Sequence, residues 1–140
     1  MIKLIIFDLD GVLVDAKEIH YNALNTALKN IDEKYIIKRD EHLSIYDGNP
    51  TRTKLKLLSQ NKGLPYELHD KVWEDKQNLT IQMINDLEED ERLISVLERL
   101  EQDGYVLCCA TNSVRHSATK QLTRRGFIDH LEFVFTNQDV

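Results

Sequence analysis

The sequence lacks the features that mark membrane-spanning, secreted or nucleic-acid-binding proteins. No apolar run approaches the roughly 18 residues that a bilayer-spanning helix needs. The first apolar run already meets an aspartate at Asp8, which is too early for a signal peptide. Acidic residues number 24 and basic ones 18, so the formal net charge is −6. These absences predict a soluble, cytoplasmic protein.

The acidic excess is concentrated between Asp86 and Asp103. This stretch contains eight acidic residues and two arginines, so it carries the whole net charge and leaves the rest of the chain balanced. No basic stripe remains to hold a phosphate backbone, and we predict no nucleic-acid partner. We interpret the stretch as a solvated approach to a helix.

Cysteine is also scarce. The chain has two cysteines, Cys108 and Cys109, and they are adjacent. Neighbouring residues do not have the spacing of a metal-chelating CxxC pair, and a disulfide between them would strain the backbone. Both lie in the apolar run Val106–Ala110. We interpret them as free thiols of the core.

Three short apolar runs are present, Leu4–Phe7, Val106–Ala110 and Leu131–Phe135. The first predicts a strand buried on both faces, as in parallel sheets. Helical spacing precedes each of the other two and stops at Gly104 and Gly126. Strand, helix and strand of these lengths predict an α/β fold with a parallel sheet.

The middle of the chain predicts only helices. One apolar stripe runs from Ala23 to Ile31, a second helix begins near Pro50–Thr51, and a third opens at Pro65. We therefore predict an α/β core formed by residues 1–16 and 88–140, with an all-α insertion over residues 17–87.

The segment Phe7–Asp15, with the sequence FDLDGVLVD, carries the chemistry. Asp8 and Asp10 follow the first predicted strand at its carboxyl end, where open α/β sheets bind ligands. Carboxylates so close together favour a cation between them, and Mg²⁺ suits such oxygen ligands. Gly11 lets the chain leave the strand sharply. For the two aspartates alone, the alternative is a strand-end turn with two solvated acids.

An apolar strand followed by DLDGVLVD resembles the first motif of the haloacid dehalogenase-like (HAD) hydrolases. The resemblance implies a Rossmann-like core in which Asp8 is the nucleophile that forms an aspartyl-phosphate. It implies that Asp10 is the general acid and base, and that Asp8 and the Asp10 backbone carbonyl hold Mg²⁺. Gly11 would belong to the substrate- and phosphate-binding loop.

The segment Thr111–Ser113 resembles the second, phosphate-binding motif of the same family. The Thr111 hydroxyl and the Asn112 amide would hold the transferring phosphoryl group, and Asn112 or Ser113 would cap the next helix. Without the first motif, the same three residues would indicate a plain helix cap.

The helical insertion resembles the family's cap domain, placed between these two motifs. The segment Asp47–Lys54 resembles the loop with which such caps reach the substrate. Arg52 and Lys54 would then contact a phosphate or an acidic substituent. Ordinary surface bases are the alternative for both, and His20 is either a surface histidine or a substrate contact.

The family also uses a lysine after the third strand and acids after the fourth, and this chain stops at Val140 before either position. We expect either a chain cut short or a diverged protein that does without them. The predicted function is Mg²⁺-dependent hydrolysis of a small phosphorylated metabolite. A phosphomutase of the same fold and a non-catalytic fragment are the alternatives, whereas Asp10 argues against a dehalogenase.

The strand order of the family implies one further expectation. Strand one would lie at an open edge of the sheet in this chain, with strands two and three on one side of it. An unpaired apolar edge strand invites pairing with another chain. We therefore predict self-association through Leu4–Phe7.

Overall fold

The computed structural model describes all 140 residues of the chain. The chain divides into two compact units, residues 1–17 with 83–140 and residues 18–82. We call the first the sheet unit and the second the helical unit. These divisions lie close to the predicted boundaries at 16/17 and 87/88, and the roles of core and cap stay predictions.

Three strands and six α-helices make up the two units. In chain order they are β1 Leu4–Asp8, α1 Ala16–Lys29, α2 Arg39–Glu41, α3 Thr51–Lys62, α4 His69–Asn85, α5 Glu91–Gln102, β2 Val106–Ala110, α6 Arg115–Arg125 and β3 Phe133–Phe135. A π-helical turn continues α2, and short 3-10 turns occur at Glu33–Tyr35, Tyr66–Leu68, Ile128–His130 and Asn137–Asp139. No helix is both long enough and apolar enough to cross a membrane.

The strands form one parallel sheet in the order β1-β2-β3, which confirms the predicted α/β fold. Both crossovers step in the same direction, and right-handed crossovers of this kind put their helices on one face of the sheet. Helices α5 and α6 are indeed neighbours. A Cβ added at Gly126, just after α6, would lie 2.7 Å from Ile94 Cδ1 in α5.

Most of the face of the sheet away from these helices is exposed, and we call it the open face. Cys108 in the middle of this face is 2% exposed, but five apolar residues around it are between 46% and 58% exposed: Leu4, Ile6, Val106, Phe133 and Phe135. The prediction that the first strand is buried on both faces is therefore wrong. The physical reason is that helices α5 and α6 cover only the opposite face of the sheet, where Leu107 and Cys109 are 1% and 0% exposed.

Both cysteines are free and buried, as predicted. Burial raises the pKa of Cys109 to about 11, and the negative charges of Asp8 and Asp10 act in the same direction. The Cys109 thiol therefore stays protonated near neutral pH and behaves as a small apolar group.

The helical unit has its own apolar core, built from α1, α3 and α4 and from the segment between α1 and α3. The largest contributors are Leu28, Ile37, Tyr46, Leu55, Leu58, Leu64 and Val72, each at most 2% exposed. Helix α3 begins after Pro50 and ends at Gly63, which adopts a left-handed φ of 73°. The predicted helix near Pro50–Thr51 is thus confirmed, and a glycine closes it.

Candidate functional site

The first part of the site is the loop that follows β1. Leu9 and Val14 are 0% and 4% exposed, so they anchor the loop in the sheet unit. The Leu9 carbonyl accepts a hydrogen bond from the Val14 amide at 3.0 Å. Gly11 has a left-handed φ of 76°, and its amide donates to the Val14 carbonyl at 2.8 Å. This tight loop places Asp8 and Asp10 at the carboxyl end of the strand, where solvent reaches part of each side chain.

Asp8 and Asp10 form an acidic pair whose members have different surroundings. Asp8 Oδ1 accepts a hydrogen bond from the Leu9 amide at 2.8 Å. Asp10 Oδ2 accepts one from Ser113 Oγ at 3.4 Å. Partial burial raises the pKa of Asp10, the Ser113 hydrogen bond opposes this, and the charge of Asp8 raises the pKa further. This raised pKa suits Asp10 to carry a proton.

The second part of the site is the Thr111–Ser113 loop, which follows β2. Since β1 and β2 are paired with Asp8 beside Ala110, this loop lies at the same end of the sheet as the acidic pair. The Ser113 amide donates to Thr111 Oγ1 at 3.1 Å. The Asn112 amide has no acceptor within the chain, so it is available to a bound anion.

The expectation that Asn112 or Ser113 caps the following helix is wrong. The N-cap residue of α6 is Val114, whose side chain has no oxygen with which to cap. The Ser113 hydroxyl bonds to Asp10 instead. The Ser113 side chain, which was predicted to cap the N-terminus of the helix, thus connects the two motifs of the site.

An open cleft of about 310 Å³ lies at this end of the sheet. Its lining comes from the ends of all three strands: Asp8, Ala110, Thr111, Asn112, Phe135, Thr136, Asn137 and Val140. Thr136 and Asn137 were not among the predicted site residues. The signal for them was their position directly after the third apolar run, because the carboxyl ends of parallel strands share one edge of the sheet.

The donor atoms of this site fit a magnesium ion. The Asp8 carboxylate and the Asp10 backbone carbonyl are a partial ligand set, and Mg²⁺ commonly takes one or two carboxylates and completes its shell with water and substrate phosphate. The charge of Asp8 raises the pKa of Asp10, and a cation would relieve that repulsion. No group of three or more His, Cys, Asp or Glu side chains in the chain is placed to hold a metal. Asp8 and Asp10 would therefore rely on water and substrate for the remaining ligands.

Arg52, the predicted phosphate ligand, belongs to the helical unit. Its guanidinium lies 2.6 Å from Asp70 Oδ1 and 5.0 Å from the centre of the Trp73 ring. The Arg52 and Asp70 side chains are 52% and 90% exposed, so water weakens their ion pair. A role for Arg52 in phosphate binding stays a prediction.

The helical unit also contains a basic cluster that the sequence analysis missed. Lys76 Nζ in α4 lies 3.1 Å from His20 Nδ1 in α1, and Lys76 is 6% exposed. Burial and the charge of Lys54 lower the pKa of Lys76. Burial and the charges of Lys76 and Lys54 lower the pKa of His20 to about 4. The signal was the position of Lys76 on the buried stripe of α4 between Val72 and Thr80.

The chain is a Rossmann-like α/β protein: it has a parallel sheet, an acidic pair after β1, a polar loop after β2 and a helical insertion between them. A family model described as haloacid dehalogenase-like hydrolase matches residues 5–140. The chain therefore belongs to the haloacid dehalogenase-like hydrolase family. No curated protein matches the chain.

Solved structures of the same fold include enzymes of more than one kind. A protein from Thermotoga maritima assigned as a β-phosphoglucomutase is 20% identical with a TM-score of 0.78, and the match covers 99% of this chain and 63% of that one. A predicted phosphoglycolate phosphatase from Haemophilus somnus is 20% identical with a TM-score of 0.72, covering 99% and 64%. A HAD family hydrolase from Deinococcus radiodurans with bound phosphate and sodium is 19% identical with a TM-score of 0.77, covering 97% and 58%. The chain thus spans about three fifths of the length of these proteins.

Proposed function

We propose that the whole protein is a Mg²⁺-dependent phosphohydrolase that acts on a small phosphorylated metabolite through an aspartyl-phosphate on Asp8. The observation that carries the proposal is the difference between the paired aspartates. Asp10 is partly buried, bonded to Ser113 and has a raised pKa, whereas Asp8 lines the cleft beside Thr111 and Asn112. One carboxylate is suited to attack and the other to transfer protons.

In the first step, a carboxylate oxygen of Asp8 attacks the phosphorus atom of the substrate. The bond from phosphorus to the leaving oxygen breaks as the bond to Asp8 forms, and protonated Asp10 gives its proton to the leaving oxygen. The Thr111 hydroxyl and the Asn112 amide donate hydrogen bonds to the phosphoryl oxygens. When bound, Mg²⁺ neutralises part of the charge that the phosphate brings to the acidic pair.

In the second step, Asp10 is ionised and takes a proton from a water molecule in the cleft. The water oxygen attacks phosphorus and the bond to Asp8 breaks, which releases inorganic phosphate. Asp8 is then a carboxylate and Asp10 is protonated, so both residues have returned to their starting states.

The helical unit would supply contacts to the rest of the substrate. Arg52, Lys54 and Lys76 offer cationic groups of the kind that bind phosphate or carboxylate substituents, and the neutral His20 ring lies beside Lys76. This assignment, the function of the helical unit as a cap, and a cytoplasmic location all stay proposals.

A phosphomutase is the second candidate function. It is favoured by the structural match to a protein assigned as a β-phosphoglucomutase and by the extra cationic groups of the helical unit, which suit a substrate with a second anionic group. In a mutase, a sugar hydroxyl rather than water would accept the phosphoryl group from Asp8. An assay that follows phosphate release and product isomerisation in one sample separates the two reactions.

The test of the proposed function is Asp8→Asn in the whole protein. Removal of the nucleophile should lower turnover by several powers of ten and abolish the acid-stable phosphorylated protein that forms with substrate. Asp103→Asn is the matched control, because it makes the same chemical change at an exposed position of the sheet unit. Near-normal hydrolysis by Asp8→Asn would refute the mechanism.

A further inference from the structure

The residues after β3 form a turn, Thr136–Asp139, that is closed by its own side chains. Asp139 Oδ2 accepts hydrogen bonds from the Thr136 amide at 2.7 Å and from the Thr136 hydroxyl at 3.2 Å. Thr136 is 3% exposed, so the turn has a buried anchor. The Thr136 amide and then the Arg115 guanidinium lower the pKa of Asp139, which is therefore a carboxylate near neutral pH.

This turn and the residue before it hold the backbone of the Thr111–Ser113 loop at both ends. The Thr111 amide donates to the Phe135 carbonyl at 2.9 Å. The Asn137 amide donates to the Ser113 carbonyl at 3.2 Å. The path of the loop between Thr111 and Ser113 is thus set from outside by the last residue of β3 and by the turn that follows it.

The other half of the turn holds the first residue of α6. Gln138 Oε1 accepts a hydrogen bond from the Arg115 amide at 2.9 Å. Asp139 Oδ1 forms an ion pair with the Arg115 guanidinium. Asp139 Oδ1 therefore connects the turn to α6, while Asp139 Oδ2 closes the turn on Thr136.

We propose that Asp139 is a positioning residue: through its ion pair with Arg115, it fixes the Thr136–Asp139 turn against the Thr111–Ser113 loop and so holds that loop in its phosphate-binding shape. The proposal rests on the proposed function, since it takes the loop as the phosphate site. Asp139 itself contacts neither the phosphate nor the reacting atoms. Its effect passes through the backbone of Ser113, whose hydroxyl also bonds to Asp10.

The direction of the change in phosphate affinity distinguishes a positioning role of Asp139 from a direct electrostatic effect of its charge. Asp139 places a negative charge close to a site for an anion. Removal of that charge should by itself tighten phosphate binding, and it would also release the Arg115 cation toward the anion. Positioning predicts the opposite, because a loop that has lost its support gives up part of its preorganised geometry.

The experiment is a titration of the whole protein with inorganic phosphate in the presence of Mg²⁺, followed by the amide NMR signals of residues 111–115. In Asp139→Asn we expect phosphate affinity to fall about fivefold, a change in the range of one partly exposed charge pair. Hydrogen exchange of the Thr111 and Ser113 amides should become faster. Asp139→Glu keeps the charge and should recover part of the affinity.

Two further variants make the comparison specific. Arg115→Gln removes the ion pair but leaves the closure of the turn by Asp139 on Thr136 intact, so it should reproduce the faster exchange of the loop amides. Asp103→Asn breaks the exposed Arg99–Asp103 pair of the same unit, whose atoms are 3.8 Å apart, and should change neither exchange nor affinity. Thermal unfolding of all four variants separates a local effect from loss of fold.

Phosphate affinity, hydrogen exchange of the loop amides and the unfolding temperature together decide whether the positioning role holds. Weaker phosphate binding in Asp139→Asn, with faster loop exchange and an unchanged unfolding temperature, supports the positioning role. Unchanged or tighter binding in Asp139→Asn overturns it while leaving the proposed function standing. If the wild-type whole protein binds no phosphate although its loop amides are protected, the loop is not a phosphate site, and the proposed function and this inference fall together.

Discussion

At the scale of single residues, Asp10 owes its proposed role to its surroundings. It is partly buried and lies close to a second carboxylate, and both effects raise its pKa. The Ser113 hydroxyl opposes them with one long hydrogen bond of 3.4 Å. A carboxyl group held in this way is able to give a proton to a poor leaving group and to take one back from water.

The corresponding prediction concerns Asp10→Asn in the whole protein. An alkyl phosphate needs a proton on its leaving oxygen, whereas nitrophenolate leaves without one. We expect turnover of the alkyl ester to fall by about two to four powers of ten, and that of p-nitrophenyl phosphate to fall much less. Equal losses on both substrates would show that Asp10 serves the metal or the fold and not proton transfer.

His20 gives a second prediction at this scale. Burial and the charges of Lys76 and Lys54 lower its pKa to about 4, although solvent reaches part of the side chain and screens part of these charges. We expect NMR titration to find a pKa between about 4 and the ordinary value of about 6.5. In Lys76→Met the pKa of His20 should rise, because one cation is removed.

The sign of the His20 shift fixes its effect on stability. The unfolded chain binds a proton on His20 as the pH falls through about 6.5, whereas the folded chain resists protonation. His20 therefore destabilises the fold as the pH falls from about 6.5 toward 4. Denaturant unfolding of wild type and His20→Gln should diverge over this window, and parallel curves would contradict the assigned environment of His20.

Individual residues also show which features of the site could be predicted from the sequence. Asp8, Asp10 and Thr111 follow predicted parallel strands, and strand ends define a shared edge, so their proximity was predictable. The bond from Ser113 to Asp10 was not, because the same residue type normally caps a helix and only the direction of the loop decides between the two. Lys76 was missed since a buried lysine breaks the rule that apolar stripes identify a core.

At the scale of elements, the junction between α5 and α6 depends on Gly126. This residue follows α6 with a left-handed φ of 84°, and a Cβ there would meet Ile94 Cδ1 at 2.7 Å. Gly104 follows α5 with a φ of 91°, and nothing lies within 4 Å of its added Cβ. The two glycines thus share the backbone requirement and differ in the space around them.

Alanine at these two positions gives a matched pair of variants. Gly104→Ala should cost about 1 kcal/mol from the left-handed backbone alone. Gly126→Ala should cost more, because the Ile94 side chain must also move. In an Ile94→Val background, which removes the contacting Cδ1, the difference between the alanine variants should shrink. A difference in unfolding free energy that persists there would place its cause elsewhere.

Elements with a strong local signal were predicted well. Strand β2 has the predicted bounds, and α3 begins where Pro50–Thr51 indicated. Strand β3 begins at Phe133 rather than Leu131, since Ile128–His130 forms a 3-10 turn just before it. The short helical turns between α1 and α3 were not predicted, because three to five residues show no apolar periodicity.

At the scale of the whole molecule, burial of the sheet was where sequence reasoning failed. A continuous apolar run predicts a strand covered on both faces, but coverage depends on which face the crossover helices occupy. Leu4 and Ile6 are 50% and 57% exposed in spite of their apolar character. Sequence identifies a sheet-forming segment; the handedness and direction of the connections decide what lies on each face.

The exposed open face and the unpaired edge of β1 predict association between copies of the chain. Light scattering of the 140-residue chain should show species larger than a monomer, with little Mg²⁺-dependent phosphatase activity in the same sample. Ile6→Lys should reduce the association, because it places a charge on the open face. Leu43→Lys is the control, since Leu43 is 64% exposed in the helical unit. A wild-type monomer with ordinary enzyme rates would contradict both expectations.

The arrangement of the two units along the chain also has a consequence for the order of folding. The helical unit is one continuous stretch, whereas the sheet unit needs β1 to find β2 about a hundred residues later. During synthesis, residues 18–82 are complete before the partner of β1 has been made. Throughout that interval the Leu4–Phe7 strand has no neighbour in its sheet. The β1 strand therefore leaves the ribosome long before its partner β2 and reaches its native pairing later than the helical unit reaches its own, so this apolar strand stays available to chaperones during that interval.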